Sequence, residues 1–112
     1  MVVLGIVEGT QGGMGTYLIS FSLLRNDSYD DRLDRIMAEI QAGPWWGETG
    51  SLMICEAPEP IDEFCARVFP PWNFDESCDI TVIFDLESGE ARSLGRLRDY
   101  NLYNLVPWMK RL

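Results

Sequence analysis

The chain has 112 residues, of which 46% are hydrophobic, and this length suits one domain around one core. It contains 18 acidic and nine basic residues and no histidine, which gives a formal net charge of −9 at neutral pH. The lack of histidine excludes Ser–His and Cys–His nucleophile activation, histidine general bases and most zinc sites. There is no run of about 18 apolar residues, so the sequence predicts no membrane span.

The charge is distributed unevenly along the chain. Residues 1–90 hold 17 acidic and four basic residues, whereas residues 91–112, the basic C-terminal segment, hold five basic residues and one acidic residue. We expect the body of the protein to repel nucleic acid and only the basic C-terminal segment to attract it. The alternative is that this segment folds back over acidic surface of its own chain or of a partner.

The three cysteines carry no pairing pattern. Cys55, Cys65 and Cys78 are separated by 10 and 13 residues, and no C-x-x-C motif is present. An odd number of unpatterned cysteines predicts a reducing compartment, and hence a cytoplasmic protein. Cys55 falls in a predicted strand and Cys65 on the apolar face of a predicted helix, so both are interpreted as small buried hydrophobic residues.

Residues 1–15 combine a short apolar run with a glycine-rich stretch. A phosphate-binding loop is rejected, because no Lys-Ser/Thr follows the glycines and because they precede a strand where such a loop precedes a helix. Two interpretations remain. The stretch is an edge strand with a glycine-rich joint, or it is an N-terminal extension of a protein whose natural start is Met14. The domain itself is predicted to span residues 16–112.

The stretch from Thr16 to Leu24 predicts the first strand. Side chains alternate along it, and four apolar residues share one face at period two, whereas the other face is mixed. The four residues are Tyr17, Ile19, Phe21 and Leu23. One strongly apolar face fits a sheet that is covered by helices on one side.

An amphipathic helix is predicted next. Its apolar residues follow the i, i+3, i+4, i+7 spacing of one helix face, and they are Leu33, Ile36, Met37 and Ile40. Ser28 is the predicted N-cap, and Gly43 the predicted left-handed residue at the C-terminus, followed by Pro44.

The remaining elements follow from the same signals. Residues 51–56 predict a strand, residues from Ile61 a helix that ends at Pro70, and residues 79–86 a strand. A hairpin with Gly89 at positive φ leads to a strand at residues 91–94. The predicted terminal helix rests on the spacing of Leu105, Trp108, Met109 and Leu112.

The resulting order is β-α-β-α-β-β, and the segments at Val2 and Trp45 are candidates for further strands. Two helices on one face of a mainly antiparallel sheet form a ferredoxin-like α+β arrangement, which is the predicted fold class.

The first strand, the Trp45–Trp46 pair, the strand from Ser51 and the strand from Asp79 together resemble the SinR-like proteins. These are relatives of the small CRISPR-associated ferredoxin-like subunit that serves in spacer acquisition, and the resemblance covers residues 16–112. It implies a ferredoxin-like homodimer. Some of these relatives are metal-dependent nucleases whose key acid is an Asp at the end of the first strand. Ser22 stands at that position here, and a serine cannot supply the carboxylate that holds Mg²⁺.

Acidic residues form one group of candidate functional residues. Four aspartates surround the start of the first helix, namely Asp27, Asp30, Asp31 and Asp34. Three of them could share a face and hold a divalent cation through water; the alternative is a solvated helix start that the helix dipole favours. Asp75, Glu76 and Asp79, before the third long strand, are interpreted as loop acids.

The tryptophans form the second group. Each stands beside a proline or glycine at the end of an element, and they are Trp45, Trp46, Trp72 and Trp108. Tryptophan is enriched in the energetic centres of protein interfaces, and the alternative is that these residues fill corners of the core.

We therefore expect a cytoplasmic, homodimeric interaction domain without catalytic activity, cofactor or metal. A specific version is an inhibitor that presents acidic surface to a basic, nucleic-acid-handling protein, as some phage anti-CRISPR proteins do. The alternative is a metal-dependent nuclease of the CRISPR-associated ferredoxin-like family. A third hypothesis, a sensor domain for a small ligand, is neither supported nor excluded by the sequence.

Overall fold

A six-stranded sheet runs through the protein, for which a computed structural model describes residues 15–112. The strands are β1 (Gly15–Ser22), β2 (Trp45–Trp46), β3 (Leu52–Ala57), β4 (Ile80–Asp85), β5 (Ala91–Gly95) and β6 (Met109–Arg111). The helices are α1 (Tyr29–Ile40), α2 (Ile61–Val68) and α3 (Asn101–Leu105). The strand order is β2-β3-β1-β4-β5-β6, and neighbouring strands are antiparallel except for β5 and β6, which are parallel. The predicted mixed α+β class is confirmed.

One face of the sheet carries the core. Ile19 of β1 lies opposite Met53 of β3 and Ile83 of β4, and paired residues in adjacent strands point to the same face. These side chains are buried together with the apolar faces of α1 and α2, which are the faces that the helical spacing predicts. The main members of this cluster are Tyr17, Ile19, Ile36, Ile40, Met53, Cys55, Ile61, Phe64, Cys65, Val68 and Ile83.

The other face of the sheet is apolar too, but its side chains are only half-buried. We call it the open sheet face, and its centre consists of Leu18, Leu52, Ile54, Ile80, Val82 and Phe84. Glu56 and Arg111 lie at its margins, opposite Thr16 and Ser93. α3 covers this side at β5, where the Tyr103 and Ser93 hydroxyls lie 2.9 Å apart. The face of β4 with the longer apolar run therefore points away from α1 and α2, whereas Thr81 and Ile83 point towards them.

The two helix-end predictions for α1 need correction. α1 begins directly after Ser28 as predicted, but the Ser28 side chain does not cap it; its oxygen accepts a hydrogen bond from Arg32 Nε at 3.0 Å instead. Gly43 does not have positive φ, and α1 is capped at Gln41. A Cβ at position 43 would lie 3.0 Å from the Glu56 carbonyl oxygen, so this glycine permits a close approach to β3. The prediction for Gly89 is confirmed by its φ of 82°.

The predicted terminal helix is wrong. α3 ends at Leu105, and Met109–Arg111 pairs with β5 as a strand. Pro107 has no N–H to donate to a helix, and the neighbouring Trp108 indole donates a hydrogen bond to the Gly89 carbonyl at 2.8 Å. The available edge of β5 then determines the conformation, and Met109 is buried beside Ala91. The strand predicted at Trp45 is β2, and the one at Val2 lies outside the described residues.

A buried ion pair joins the end of β1, α1 and the loop before β4. Arg32 Nη1 lies 2.5 Å from Asp79 Oδ2, and the side chains are 7% and 0% exposed. Asp79 also accepts hydrogen bonds from the backbone N–H groups of Leu24 and Asp75, at 2.7 and 2.8 Å. Asp79 lies in a loop, as predicted, but its carboxylate is inside the protein and organises two loops.

Replacing Asp79 with Asn should lower the free energy of unfolding by about 3 kcal/mol or more, because it leaves the Arg32 guanidinium buried without a countercharge. Urea unfolding followed by circular dichroism measures this change. Asp34→Asn is the matched control: Asp34 is exposed, and its substitution should change stability by less than about 0.5 kcal/mol. Equal losses in the two variants would contradict a structural role for the buried pair.

Candidate interaction surfaces and a cavity

The acidic group at the start of α1 is exposed and unneutralised. Asp27, Asp30, Asp31 and Asp34, which we call the acidic α1 surface, are all solvent-exposed. None of them forms an ion pair with a basic group of residues 15–112. Within this range, no three Cys, Asp or Glu side chains are grouped in a way that could hold a metal ion. The four carboxylates are thus presented to solvent as surface charge.

Acids elsewhere are used by the fold. The Arg67 guanidinium bonds to the Glu59 carboxylate and lies 2.8 Å from Glu39 Oε1. The hydrogen bond from Arg67 holds the pKa of Glu59 below its usual value. Arg92 Nε lies 2.7 Å from Asp62 Oδ1. The carboxylates that stabilise the packing of α2 therefore have arginine partners, whereas those of the acidic α1 surface have none among the described residues.

The basic C-terminal segment folds back in part. Arg92 is largely buried between Asp62 of α2 and Glu90, which matches the expectation of a return over acidic surface of the same chain. Lys110 and Arg111 extend along β6 and are exposed. Neither they nor the arginines at positions 96 and 98 form an ion pair with another described residue.

The structure places none of the four tryptophans in the core. Their exposed fractions are 45% for Trp45, 43% for Trp46, 71% for Trp72 and 61% for Trp108. Trp45 and Trp46 form the edge strand β2, and Trp108 adjoins β6 at the opposite edge of the sheet. Trp72 lies in the loop after α2. The tryptophans therefore belong to separate surfaces and do not form one common patch.

A cavity of about 500 Å³ opens between α1, the end of β1 and the β2–β3 hairpin. Trp45 is the only one of the predicted site residues that lines it. The other main wall residues are Phe21, Tyr29, Leu33, Met37 and Met53. No pattern in the sequence indicates this cavity, since its walls come from three segments that only the fold brings together.

Besides Tyr29, three polar residues line this cavity, namely Ser22, Arg25 and Ser51. Arg25, which the sequence analysis did not single out, follows β1, and its guanidinium carbon lies 4.5 Å from the centre of the Tyr29 ring. Ser22 also lines the cavity, at the strand end where the resemblance implies an acid. No Asp or Glu belongs to the lining. The nuclease alternative stays a hypothesis that no observation on the described residues favours.

Comparisons of the chain with protein-family models, with curated proteins and with solved structures find no match. What the structure establishes is an α+β domain with a six-stranded mixed sheet and an acidic helix start. Within residues 15–112, no helix has the length and apolar character needed to cross a membrane. The resemblance to SinR-like proteins therefore remains an expectation from the sequence.

Two of the three thiols should be protected from alkylation in the native protein. Cys55 and Cys65 are buried, as predicted, and burial raises their pKa values to about 11 and about 12. Both thiols are therefore protonated at pH 8, and iodoacetamide reacts with thiolates. Cys78 is partly exposed.

We expect iodoacetamide to modify Cys78 first and the other two only after unfolding in urea. Peptide mass spectrometry measures the rate at each site, and the urea-unfolded chain supplies the unprotected reference rate. Modification of Cys55 or Cys65 at the rate of Cys78 in the native protein would contradict their burial.

Proposed function

We propose that this chain is a small acidic interaction domain without catalytic activity, which binds a basic, nucleic-acid-handling protein in place of nucleic acid. The observation that carries the proposal is the acidic α1 surface. Its four carboxylates are exposed and have no ion-pair partner in the described part of the chain. A basic groove that binds phosphates would be complementary to such a surface.

The charge density at the start of α1 supports the proposal that this surface takes the place of nucleic acid. Asp30, Asp31 and Asp34 span four residue steps of α1, so three carboxylates occupy about 6 Å of helix axis. Duplex DNA carries one charge per about 1.7 Å of its axis, which is a similar linear density. The positive end of the helix dipole offsets part of the mutual repulsion of these acids.

The fold proposed for this domain is ferredoxin-like. The order β2-β3-β1-β4, with α1 between β1 and β2 and α2 between β3 and β4, supports this assignment. Both helices pack on the same face of the sheet, which also supports it. In this assignment β5 and β6 extend the sheet beyond β4.

We assign the proposed homodimer contact to the open sheet face. The centre of this face presents six half-buried apolar side chains, and its margins carry one acid, Glu56, and one base, Arg111, whereas the chain as a whole carries a net charge of −9. An apolar surface whose marginal charges balance is a place where two such chains can meet at low electrostatic cost. A second copy on this face would bury apolar area that now contacts water.

The acidic α1 surface should be necessary for binding the basic partner. Wild-type protein should displace nucleic-acid-binding proteins of its source cells from DNA-cellulose at low salt. The triple variant Asp30→Asn, Asp31→Asn, Asp34→Asn should lose at least about tenfold in potency. The displacement should disappear near 1 M salt, where the screening length is about 3 Å.

The matched control removes three exposed acids elsewhere, through Glu48→Gln, Glu63→Gln and Glu87→Gln. It has the same net charge as the α1 variant and should keep most of its potency. If both triple variants lose potency equally, net charge and not the acidic α1 surface is responsible. Displacement that ignores salt would also count against the proposal.

The chain should be a dimer in solution. Light scattering at about 50 µM should report twice the chain mass of 12.8 kDa. At this concentration most chains are dimeric even if the dissociation constant is about 1 µM. Val82→Lys should shift the protein towards monomer, because it places a charge in the middle of the open sheet face. Since lysine lowers the net negative charge, this loss would not reflect greater overall repulsion between the chains. It would reflect the cost of burying the ammonium group close to the same lysine of the second copy.

Trp72→Lys is the matched control, because Trp72 is 71% exposed and lies in the loop after α2. It should remain dimeric, and circular dichroism establishes that both variants are folded. Added salt should strengthen the dimer by screening like charges, whereas it weakens binding to a basic partner. A wild-type monomer at this concentration would refute the dimer.

A further inference from the structure

The cavity beside α1 has the dimensions of a site for a small molecule. Its volume is about 500 Å³, and ligand sites of drug-sized molecules generally measure about 300–1,000 Å³. It lies between secondary-structure elements, with α1 on one side and the β2–β3 hairpin on the other. Its walls are thus held by the fold and do not depend on a ligand to form them.

The walls suit an aromatic ring. Phe21 and Trp45 supply aromatic surface, and Met37 and Met53 supply thioether groups. Aromatic side chains stack with flat ligands, and methionine sulfur makes favourable contacts with ring edges. Trp45 remains 45% exposed, so its ring still has surface to contribute to a bound molecule.

Close packing under the Trp45 ring fixes the hairpin wall. A Cβ at Gly47 would lie 2.9 Å from the Met53 Cγ atom and 3.0 Å from the Trp45 ring, so a larger residue would displace one of these side chains. The Gly50 N–H donates to the Gly47 carbonyl at 3.1 Å, and Gly50 has a φ of 85°. The two glycines thereby hold the turn that shapes one side of the cavity.

The charge at the cavity is opposite to that of the protein. Arg25 is the only charged residue in the lining, although the chain has twice as many acids as bases. Its guanidinium lies over the Tyr29 ring and forms no ion pair with a described acid. Ser22 and Ser51 add hydroxyl-bearing side chains. A cation beside an apolar aromatic pocket recognises an anion attached to an apolar body.

We propose that this cavity binds a small aromatic carboxylate, with the ring against Trp45 and the methionines and the carboxylate on the Arg25 guanidinium. This goes beyond the proposed function, because the acidic α1 surface and the cavity use different sides of α1. Tyr29, Leu33 and Met37 face the cavity, whereas the aspartates at positions 30, 31 and 34 face solvent. Either site can therefore fail its test without affecting the other.

Three probes of the same shape test the charge preference. They are 2-naphthoate, uncharged 2-naphthamide and cationic 2-naphthylmethylamine, each titrated into the full chain by calorimetry. We expect saturable binding of naphthoate and at least about tenfold weaker binding of the amine. In ¹⁵N spectra, the indole N–H signal of Trp45 should shift on naphthoate binding, and those of Trp72 and Trp108 should not.

Arg25→Gln tests the anion contact, and Arg98→Gln is its control. Both residues are exposed arginines, so each substitution removes one positive charge without opening the core. Arg25→Gln should weaken naphthoate binding about tenfold or more and leave naphthamide binding nearly unchanged, since it removes a hydrogen bond to a charged group. Arg98→Gln should alter neither affinity.

Three results would overturn the proposal. The first is the absence of saturable naphthoate binding up to millimolar concentration. This result would overturn the proposal even if another copy of the chain or a different partner were found to fill the cavity. The second is equal affinity for the three probes, which would mean that Arg25 selects no charge. The third is an equal loss in the Arg25 and Arg98 variants, which would assign binding to the overall charge.

Discussion

An arginine and an aspartate that meet inside the protein hold together one end of this fold. Arg32 projects from α1, and Asp79 immediately precedes β4, so their contact joins elements 47 residues apart in the chain. The surrounding backbone supplies further partners, because Asp79 accepts from two N–H groups and Arg32 donates to the Leu24 carbonyl at 3.0 Å. Two buried charges are tolerable only when they are paired and hydrogen-bonded in this way.

The position of this pair has consequences for the neighbouring surfaces. It fixes the first turn of α1 against the end of β1, and therefore the direction in which the acidic α1 surface faces solvent. The segment between the two elements, which includes Arg25, is anchored at Leu24 by Asp79 and Arg32. The cavity and the acidic α1 surface lie on either side of one helix, and the same buried contact positions that helix for both.

The distribution of charge explains why these surfaces differ in chemistry. Arg32, Arg67 and Arg92 form ion pairs with the acidic residues that take part in the packing of the helices. The acids around the start of α1 have no such partner among the described residues, whereas the cavity contains a single arginine and no acid. The centre of the open sheet face is apolar, and the charges at its margins, Glu56 and Arg111, are of opposite sign. The basic protein, the anionic small molecule and the second copy of the chain that we propose as partners would therefore each bind a separate surface.

The amino-acid sequence by itself determined the local elements and their apolar faces. Period-two alternation predicted β1 and β4, and helical spacing predicted α1 and α2. The burial of Cys55 followed from its place in a predicted strand, and that of Cys65 from its place on an apolar helix face. The sequence also predicted positive φ at Gly89. These features depend on neighbours within about one or two turns or on the pleat of one strand, and residue spacing records such neighbours directly.

Only the tertiary structure determined which distant segment each part of the chain contacts. Apolar residues between Leu105 and Leu112 have helical spacing, yet residues 109–111 form β6, because the free edge of β5 offers backbone hydrogen bonds. The sequence places Asp79 in a loop but does not show that Arg32 lies beside it in the folded protein. The cavity arises because the hairpin at Gly47 and Gly50 stands apart from α1. Each outcome depends on groups far apart in the chain, and local periodicity contains no information about such contacts.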